Sequence, residues 1–326
     1  MIRKNQCNSQ IPLTVNQGDF LDIIIINWNS ATQLQRCVDS ILSSTINLPG
    51  KVIIVDNRST DGSLKNLNGV QGIHILQSRE NLGFGGGCNL GFIQSQAKFL
   101  LFLNPDIQFL PNSLSNLVDF LNSPALSPET GVFGVQLQNP DGSIQKNVAR
   151  FPRFKELFPR MAGLDRLFPR IFKPHYVKDM DYSKNLLVDQ VPGAFFLVRR
   201  SCFEQLGGFD EHFFLYYEDV DFSYRARQAG WNTQYLADVK VIHSGGGTTE
   251  SIKDRRLFYS LRSRVLYAGK HYGRWQALAV IFAALTIELL SRCARSVLHL
   301  SLGELTATLK GFGLFMRSLP ETLKKL

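Results

Sequence analysis

Hydrophobic residues in the first third of the chain come in unbroken runs rather than in an alternating pattern. Four runs that end in polar residues cover positions 21–29, 51–57, 72–78 and 98–106. A strand that is buried on both faces produces such a run. Between the first two runs, apolar residues at Leu34, Val38 and Ile41 follow the helical period. Strands that alternate with helices predict βαβ units and a mostly parallel sheet of the α/β class.

The pattern is less regular after residue 124. Further strands are predicted within residues 131–143, 193–209 and 233–249. Residues 150–190 are rich in Pro, Phe, Arg and Lys, and we expect an irregular excursion there that covers an acceptor site. Three parts are predicted in all: a loose N-terminal arm (1–20), an α/β domain (21–250) and a basic helical C-terminal extension (251–326).

Charge is concentrated in the C-terminal extension. The chain has 36 Lys and Arg against 27 Asp and Glu, a net charge of +9. Residues 251–326 alone contain 13 basic and 4 acidic residues, which leaves residues 1–250 neutral. A basic tail of this kind favours anionic lipid headgroups or a phosphate-bearing acceptor as partners. No nucleic-acid-binding motif accompanies it, so nucleic acid is not expected as a partner.

One stretch of the extension, residues 275–290, is strongly apolar and is flanked by basic residues. It is shorter than the ~20 residues that span a bilayer. An interfacial helix on the membrane surface is one interpretation, and packing on the main domain or on a second copy in a homodimer is the other. The five cysteines are far apart, and the N-terminus has no apolar signal core. We therefore expect a cytoplasmic protein, peripheral on the inner face of the membrane.

Polar residues at the ends of three predicted strands are candidates for a ligand site. Asn27, Asp56 and Asn57 end the first two runs, and Asn104 and Asp106 end the fourth. Ligands of open α/β sheets bind beyond the carboxyl ends of the strands. The Asp56–Asn57 pair suits a nucleobase or a ribose, and Asp106 suits a divalent cation that bridges a diphosphate. A helix cap and an ordinary Asn-Pro-Asp turn are the structural alternatives.

A glycine-dense segment, RENLGFGGGCNLG at 79–91, leads to a helix predicted near 86–97. Glycines allow a ligand close to the backbone, and helix N-termini attract phosphate. The GxGxxG fingerprint fails, because Cys88 takes its last position when counting starts at Gly83, and no GxxxxGK[ST] motif is present. The segment therefore disfavours a nicotinamide dehydrogenase and a P-loop ATPase. A tight turn against the sheet is the simpler alternative.

Five carboxylates lie among four Phe and three Tyr in the segment GFDEHFFLYYEDVDFSYRARQAGW, residues 208–231. Apolar surroundings raise the pKa of a carboxyl group and suit it to proton transfer. Glu218 and Asp219 are the candidates, and capping of the following helix is the alternative. His243 ends the last predicted strand before a glycine-rich loop. It is a candidate ligand for a metal or a diphosphate, although a lone histidine more often has a structural role.

Taken together, the motifs resemble the family 2 glycosyltransferases, most closely the bacterial rhamnosyltransferase-like branch that builds cell-surface polysaccharides. The resemblance covers residues 21 to about 250. It is carried by DIIIINWN, VDNRSTDGS, NLGFGGGCNLG, LNPD, GAFFLVRR, the acidic–aromatic segment and VIHSGGGTT in that order. It implies a GT-A fold, a nucleotide-diphosphate sugar donor, a divalent metal (Mg²⁺ or Mn²⁺) and inversion at the anomeric carbon.

On the donor side, the resemblance implies roles for five residues. Asp56 would contact the nucleobase, and Asn81 and Gly83 would line the donor site. Asn104 and Asp106 occupy the positions of the family's DxD-type metal motif. Asn104 departs from that motif, which has Asp at its first position, and this weakens the expectation of tight metal binding.

The same resemblance implies the acceptor side. Asp219, the second residue of the Glu-Asp pair, matches the general base, and His243 matches a late histidine that completes the metal or diphosphate site. Gly193 and Ala194 would border the acceptor, and Tyr217 is one of the aromatic residues expected to stack on a sugar.

The leading hypothesis is therefore an inverting rhamnosyltransferase that uses dTDP-rhamnose and a saccharide or lipid-linked acceptor. A UDP-sugar donor on the same fold is a second hypothesis. A catalytically silent, membrane-associated scaffold is a third, with Asn104 as its only support.

Overall fold

The computed structural model describes residues 20–44, 50–168, 170–172, 174–245 and 252–326. Its described strands are β1 (Leu21–Asn27), β2 (Val52–Asp56), β3 (Ile73–Gln77), β4 (Phe99–Leu103), β5 (Ile107–Phe109), β6 (Thr130–Gln138), β7 (Leu186–Val188), β8 (Phe195–Arg199) and β9 (Asn232–His243). They form one sheet in the order β3-β2-β1-β4-β8-β6-β9-β5, and β7 pairs with β9. The predicted N-terminal arm lies outside the described residues apart from Phe20, as does the glycine-rich loop beyond Gly245.

The sheet is mixed. Strands β1, β2, β3 and β4 are mutually parallel, as is the β6–β9 pair. The β4–β8, β6–β8, β5–β9 and β7–β9 pairs are antiparallel. The predicted parallel arrangement thus holds for the N-terminal half of the sheet. Within that half, the register places Asn27 beside Asp56, so the polar ends of β1 and β2 meet at one edge.

The helices among the described residues are α1 (Gln33–Leu42), α2 (Gly83–Ile93), α3 (Ser113–Asn122), α4 (Phe154–Met161), α5 (Leu164–Leu167), α6 (Arg200–Gln205), α7 (Glu218–Gln228), α8 (Lys253–Tyr272), α9 (Arg274–Ala283), α10 (Leu289–Leu298) and α11 (Leu302–Lys324).

The packing of strand β1 explains why its hydrophobic residues form a continuous run in the sequence. Ile23 and Ile25 belong to the hydrophobic core on one face of the sheet, and Ile24 and Ile26 belong to the core on the other face. Helix layers therefore cover both faces.

Glycines 83 to 91 lie in helix α2 itself, which begins earlier than predicted. The glycines allow this helix to approach the sheet closely. A methyl group on Gly91 would lie 2.3 Å from Cγ2 of Ile24, and one on Gly87 would lie 3.0 Å from Cγ2 of Ile26. Packing against the sheet thus outweighs the low helix propensity of glycine, which is a cost of about 1 kcal/mol per residue.

The predicted irregular excursion at 150–190 contains helix α4 and strand β7. Leu157 and Met161 of α4 are buried in a third core, which also contains residues of α8, α9 and α11. Part of the excursion therefore packs on the C-terminal helices instead of forming a free loop.

Helices α9 and α10 are joined by a π-helical turn, Ala284–Glu288, into one helix of 25 residues from Arg274 to Leu298. By length and composition this helix can cross a membrane, which corrects the expectation that the apolar stretch is too short. Glu288, which interrupts that stretch in the sequence, is buried. It pairs with Arg264 of α8 and accepts a hydrogen bond from Nε of Arg292 at 2.9 Å. The ion pair between Glu288 and Arg264 therefore ties the apolar helix to α8.

Candidate active site

A cavity of about 570 Å³ opens beyond the carboxyl ends of β1, β2 and β4. The predicted site residues that line it are Asn57, Asn81, Gly83, Asn104, Asp106 and His243. They come from segments separated by up to 186 positions in the sequence, and the fold brings them together at the edge where ligands of α/β sheets bind. We call this cavity the donor cavity.

Asn27 connects the loops that follow β1 and β2 next to the donor cavity. It is fully buried, and its amide group donates to Oδ1 of Asp56 at 2.7 Å and to Oγ of Ser63 at 2.9 Å. Its Oδ1 accepts a hydrogen bond from Ser30. With these bonds made, Asn27 has a structural role in holding the loops after β1 and β2. This corrects the prediction that Asn27 contacts the donor, because its neighbours Ile26 and Trp28 line the cavity instead.

Asp56 is also buried. Its Oδ1 accepts from Asn27 and its Oδ2 accepts from the backbone N–H of Ser59 at 3.0 Å. Each carboxylate oxygen can accept a second hydrogen bond. Contact between Asp56 and a nucleobase stays a prediction, and the network fixes the position from which the side chain would make that contact.

The N-terminus of α2 is held against both β2 and the acidic–aromatic segment. The side chain of Asn57 donates to the carbonyl of Gly83 at 2.9 Å, and Oδ1 of Asn81 accepts from the N–H of Gly83 at 2.9 Å. The N–H of Phe84 donates to the carbonyl of Phe214 at 3.1 Å. Gly83 has a φ of 74°, and a Cβ there would lie 2.0 Å from the Phe214 oxygen. Only glycine fits at this close contact between α2 and the Phe214 carbonyl. The contact holds the acidic–aromatic segment, residues 208–231, next to the donor cavity.

Asp106 and His243 form a pair on the cavity wall, where β5 begins and β9 ends. Nε2 of His243 lies 3.5 Å from Oδ2 of Asp106. The amide nitrogen of Gln145 donates to Asn139 and to the His243 carbonyl, so its Oε1 accepts from Nδ1 of His243 at 2.8 Å. In the neutral ring this leaves a lone pair on Nε2, facing the carboxylate.

These two side chains fit a divalent cation. Two electron-pair donors face each other, and Oδ1 of Asp106 is buried without a hydrogen-bond partner. No group of three His, Cys, Asp or Glu suited to a metal occurs in the described part of the chain. A cation here would therefore complete its coordination with oxygens of the substrate diphosphate and water, as Mg²⁺ usually does.

Backbone contacts connect Asp219 to the same cavity. The N–H of Asn104 donates to the carbonyl of Ala194 at 3.0 Å, and the N–H of Gly193 donates to Oδ2 of Asp219 at 2.8 Å. A methyl group on Gly193 would lie 3.3 Å from Oδ2 of Asp219 and 3.4 Å from the ring of Phe84, which lines the cavity. Asp219 therefore lies beside the donor cavity, on the side bordered by Gly193 and Ala194.

Asp219 and Glu218 have different surroundings. Burial raises the pKa of Asp219, while hydrogen bonds from the N–H groups of Gly193 and Val220 oppose the increase. Glu218 is more deeply buried, beside Gly85 of α2, and its Oε2 has no hydrogen-bond partner among the described residues. Burial and then the charge of Asp219 raise the pKa of Glu218 well above its usual range. Asp219 is therefore the carboxyl group that ionises first.

Tyr216, rather than Tyr217, lines the donor cavity. Both tyrosines have left-handed backbone conformations, with φ of 68° and 71°, in the turn before α7. This turn directs the ring of Tyr217 toward Tyr267 of α8, at 5.3 Å between ring centroids. The ring of Tyr217 therefore packs on α8, and its predicted role at the acceptor stays a prediction.

Helix α8 completes the donor cavity with residues that the sequence pattern did not single out. Arg255, Arg256 and Tyr259 line it. Nε of Arg256 donates to the Tyr216 hydroxyl at 3.2 Å, and the rings of Tyr259 and Phe214 stack at 4.7 Å. The adjacent arginines at the start of a helical segment were an available signal, because cations suit a diphosphate. Because these arginines are far in sequence from the other site residues, the sequence pattern did not assign them to the donor cavity.

Comparison with known proteins identifies the family. Residues 22–207 match Glycosyl transferase family 2. The chain is 29% identical to an N-acetylglucosaminyl-diphospho-decaprenol L-rhamnosyltransferase of Mycobacterium tuberculosis, over 79% of this chain and 87% of that protein. It is 27% identical to the O-antigen chain rhamnosyltransferase RfbN of Salmonella typhimurium, over 69% of this chain and 66% of that protein.

Solved structures of low sequence identity share the fold. The mannosyltransferase PcManGT of Pyrobaculum calidifontis, solved with GDP-Man and Mn²⁺, has a TM-score of 0.53 at 14% identity, over 92% of this chain and 87% of that one. Residues 1–349 of TarS from S. aureus have a TM-score of 0.52 at 14% identity, over 93% and 82% of the two chains. The predicted GT-A fold is confirmed. This chain therefore belongs to glycosyl transferase family 2 and is a glycosyltransferase similar to bacterial rhamnosyltransferases.

Proposed function

We propose that the chain is an inverting rhamnosyltransferase that moves rhamnose from dTDP-rhamnose to a hydroxyl group of a saccharide or lipid-linked acceptor. One observation carries this proposal: the Asp106–His243 pair lines the donor cavity, and Asp219 lies beside that cavity, next to Gly193 and near the ring of Phe84. An inverting transfer needs a base distinct from the groups that hold the diphosphate, because the acceptor attacks the face of the sugar opposite to the departing diphosphate. Similarity to rhamnosyltransferases supports the choice of sugar.

On the donor side, Asn57 and the start of α2 are placed to position the nucleotide, as Asp56 would be if it contacts the base. Arg255 and Arg256 are placed to neutralise the diphosphate. Asp106 and His243 would hold a divalent cation, which supplies further positive charge to the leaving diphosphate when it is bound. Cations and hydrogen-bond donors that already point toward the charge developing on the diphosphate make one of the largest contributions to catalysis.

On the acceptor side, Asp219 accepts the proton of the attacking hydroxyl group. The acceptor oxygen forms a bond to the anomeric carbon, and the bond from that carbon to the diphosphate oxygen breaks with its electron pair on dTDP. The hydrogen bond from Gly193 holds the carboxylate in place. General-base catalysis of this kind contributes about 10²–10⁴-fold to the rate. Phe84, Phe214 and Tyr259 line the cavity with apolar surface that limits the access of competing water.

The proposed arrangement assigns residues 21–250 to the GT-A domain and 251–326 to the helical extension, with α8 of the extension completing the donor cavity. Because the extension is basic and exposes apolar residues, we propose a cytoplasmic enzyme that is peripheral on the inner face of the membrane.

A donor panel tests the proposed function. The protein is incubated with dTDP-rhamnose, UDP-glucose, UDP-galactofuranose and GDP-mannose, with Mg²⁺, Mn²⁺ or EDTA, and released nucleoside diphosphate is measured. We expect dTDP-rhamnose to be consumed fastest and EDTA to reduce the rate. If a UDP-sugar is consumed fastest instead, that UDP-sugar and not dTDP-rhamnose is the donor. Consumption of no donor under any metal condition would favour the silent scaffold.

A further inference from the structure

Two consecutive tyrosines, Tyr216 and Tyr217, have left-handed backbone conformations in the turn before α7, with φ of 68° and 71°. Residues other than glycine adopt this conformation at a cost in free energy, and they keep it where the surroundings fix the backbone. Such residues concentrate at functional sites. The turn leads directly into Glu218 and Asp219 at the start of α7. The direction that the turn gives to each tyrosine side chain therefore bears on the active site.

The turn is held from two sides. On one side, the carbonyl of Phe214 accepts a hydrogen bond from a backbone N–H at the start of α2. On the other side, the carbonyl of Leu215 accepts from Oγ of Ser263 on α8 at 2.9 Å. The ring of Tyr217 packs on α8 as well. With these contacts made, the side chain of Tyr216 lies on the wall of the donor cavity.

The hydroxyl group of Tyr216 accepts a hydrogen bond but makes none as a donor among the described residues. Nε of Arg256 donates to it at 3.2 Å, and Arg256 also lines the donor cavity. A phenol can accept and donate at the same time, so this bond leaves the O–H available to donate. Because the hydroxyl accepts from a guanidinium group, it is polarised and donates more strongly to a further acceptor.

The charge of the donor cavity indicates which acceptor suits this O–H. Three arginines line the cavity, Arg58, Arg255 and Arg256, against one carboxylate among the described lining residues, Asp106. That carboxylate faces His243 across 3.5 Å. An excess of positive charge favours an anionic group, and phosphate oxygens accept strong charge-assisted hydrogen bonds. A diphosphate therefore suits the O–H of Tyr216 better than the uncharged hydroxyl groups of a sugar.

We propose that Tyr216 is a further donor-binding residue. Its hydroxyl group donates a hydrogen bond to an oxygen of the donor diphosphate while it accepts the bond from Arg256, so the two side chains act on the leaving group together. This bond strengthens as the diphosphate gains negative charge during transfer, and Tyr216 therefore contributes to the rate as well as to donor affinity. The inference rests on the proposed function and adds a specific contact to the leaving group.

Calorimetric titration of dTDP into the full chain with Mg²⁺ tests this contact. Tyr216→Phe keeps the ring and removes the hydroxyl group alone. We expect it to raise the Kd of dTDP at least about tenfold and to lower kcat/KM for the donor about 10–100-fold, since a hydrogen bond to a charged group contributes factors of this size. Tyr224→Phe removes a hydroxyl group from α7 outside the donor cavity, and as the matched control it should leave both values unchanged. Thermal unfolding of both variants separates a lost contact from a lost fold.

The variant Arg256→Ala distinguishes a direct contact from an indirect one. If Tyr216 contacts the diphosphate itself, Tyr216→Phe should still raise the Kd of dTDP in the Arg256→Ala background. The factor should be smaller than in the unchanged chain, because the polarising guanidinium group is gone. No further effect in that background would show that Tyr216 only orients Arg256, and this would overturn the inference. An unchanged Kd in Tyr216→Phe alone would overturn it as well.

Failure of this contact and failure of the proposed transfer give different results. If the donor panel identifies a UDP-sugar, UDP replaces dTDP in each titration. Binding that depends on Tyr216 without turnover of any donor would contradict the proposed transfer and keep the contact. Turnover of a donor with a Kd that Tyr216→Phe leaves unchanged would contradict the contact and keep the transfer. Failure of the unchanged chain to bind either dTDP or UDP would contradict both.

Discussion

At the scale of single residues, two neighbouring carboxyl groups at the start of α7 differ in what they can do. Asp219 is partly exposed and held by two backbone N–H groups, whereas Glu218 is buried beside α2 with one oxygen unpaired. Ionisation of Asp219 discourages ionisation of Glu218, so the pair carries one negative charge over the range in which Asp219 titrates. This assigns the proton-accepting role to Asp219 and leaves Glu218 as a neutral acid.

Replacing each acid by its amide should therefore give opposite results. We expect Asp219→Asn to lower kcat by about 10²–10⁴-fold, which is the contribution of a general base. The asparagine oxygen can still accept from the N–H of Gly193, so donor affinity should be preserved. Glu218→Gln, the matched control, should keep activity within a few-fold, because it replaces one neutral group by another. Single-turnover kinetics and donor titrations measure both quantities, and a larger loss in Glu218→Gln would reverse the assignment.

The pH dependence follows from the same pair. Asp219 works as a base only when it is deprotonated, and burial raises its pKa above the usual value near 3.9. As pH falls, kcat/KM should therefore decrease at a higher pH than for an exposed aspartate, and it should recover as pH rises. In Glu218→Gln this acidic limb should remain, since Glu218 is protonated throughout it. A pH profile of kcat/KM checks this, and a rate that stays constant down to about pH 4 would contradict it.

At the scale of secondary-structure elements, the position of α2 depends on its glycines, which have no side chains to separate the helix from its neighbours. Its glycines let the helix lie directly on Ile24 and Ile26, and its first residue crosses the carbonyl of Phe214. The N-terminus of α2 consequently lies at the donor cavity, which Gly83 and Phe84 line. Close packing rather than flexibility therefore explains the glycine-dense motif.

Two Gly-to-Ala substitutions in helices test this interpretation. We expect Gly91→Ala to lower the free energy of unfolding by about 1–2 kcal/mol, because overpacking against Ile24 exceeds the gain in helix propensity. Gly313→Ala in α11 has no atom within 4 Å of the added methyl group and should raise the free energy of unfolding by about 0.5–1 kcal/mol. Urea unfolding curves give both values. Equal effects of the two substitutions would show that α2 does not pack as closely as the structure places it.

At the scale of the whole molecule, the C-terminal helices have two surfaces. Their inner surface completes the donor cavity through α8 and is fastened by the Arg264–Glu288 ion pair. Their outer surface exposes Trp275, Phe282, Leu290 and Val297, which follow one another at seven or eight positions and so share one face of a helix. An apolar face on a basic extension is typical of a helix that lies in the membrane interface.

Binding to vesicles tests this outer surface. The double substitution Phe282→Gln and Leu290→Gln should weaken binding to anionic phosphatidylglycerol vesicles at least about tenfold, since a buried Leu or Phe contributes about 1.5–3 kcal/mol. Leu42→Gln replaces an exposed leucine of α1 and is the control, with no expected effect. Co-sedimentation at low and high salt measures the change. Undiminished binding of the double variant would assign the apolar face to protein contacts instead.

Much of the fold could be predicted because it depends on local patterns. The continuous apolar runs of β1, β2 and β4 reflect burial on both faces, and the polar residues after them fall where parallel strands end together. This predicted that Asn57, Asn104 and Asp106 would share a site, and the structure places all three on the donor cavity. Short strands such as β5 and β7 have three residues each, too few for a pattern, and only their pairing with β9 defines them.

By itself, the sequence determined the α/β class, the order of the main strands and the residue types available at the sheet edge, since periodicity and strand ends are properties of neighbouring residues. Only the tertiary structure decided that Asn27 is buried, that Tyr216 lines the donor cavity while Tyr217 packs on α8, and that Arg255 and Arg256 reach the cavity from α8. It also buried Glu218 while leaving Asp219 partly exposed. The physical reason is that burial and contact depend on segments far apart in the chain, whose approach no local pattern records.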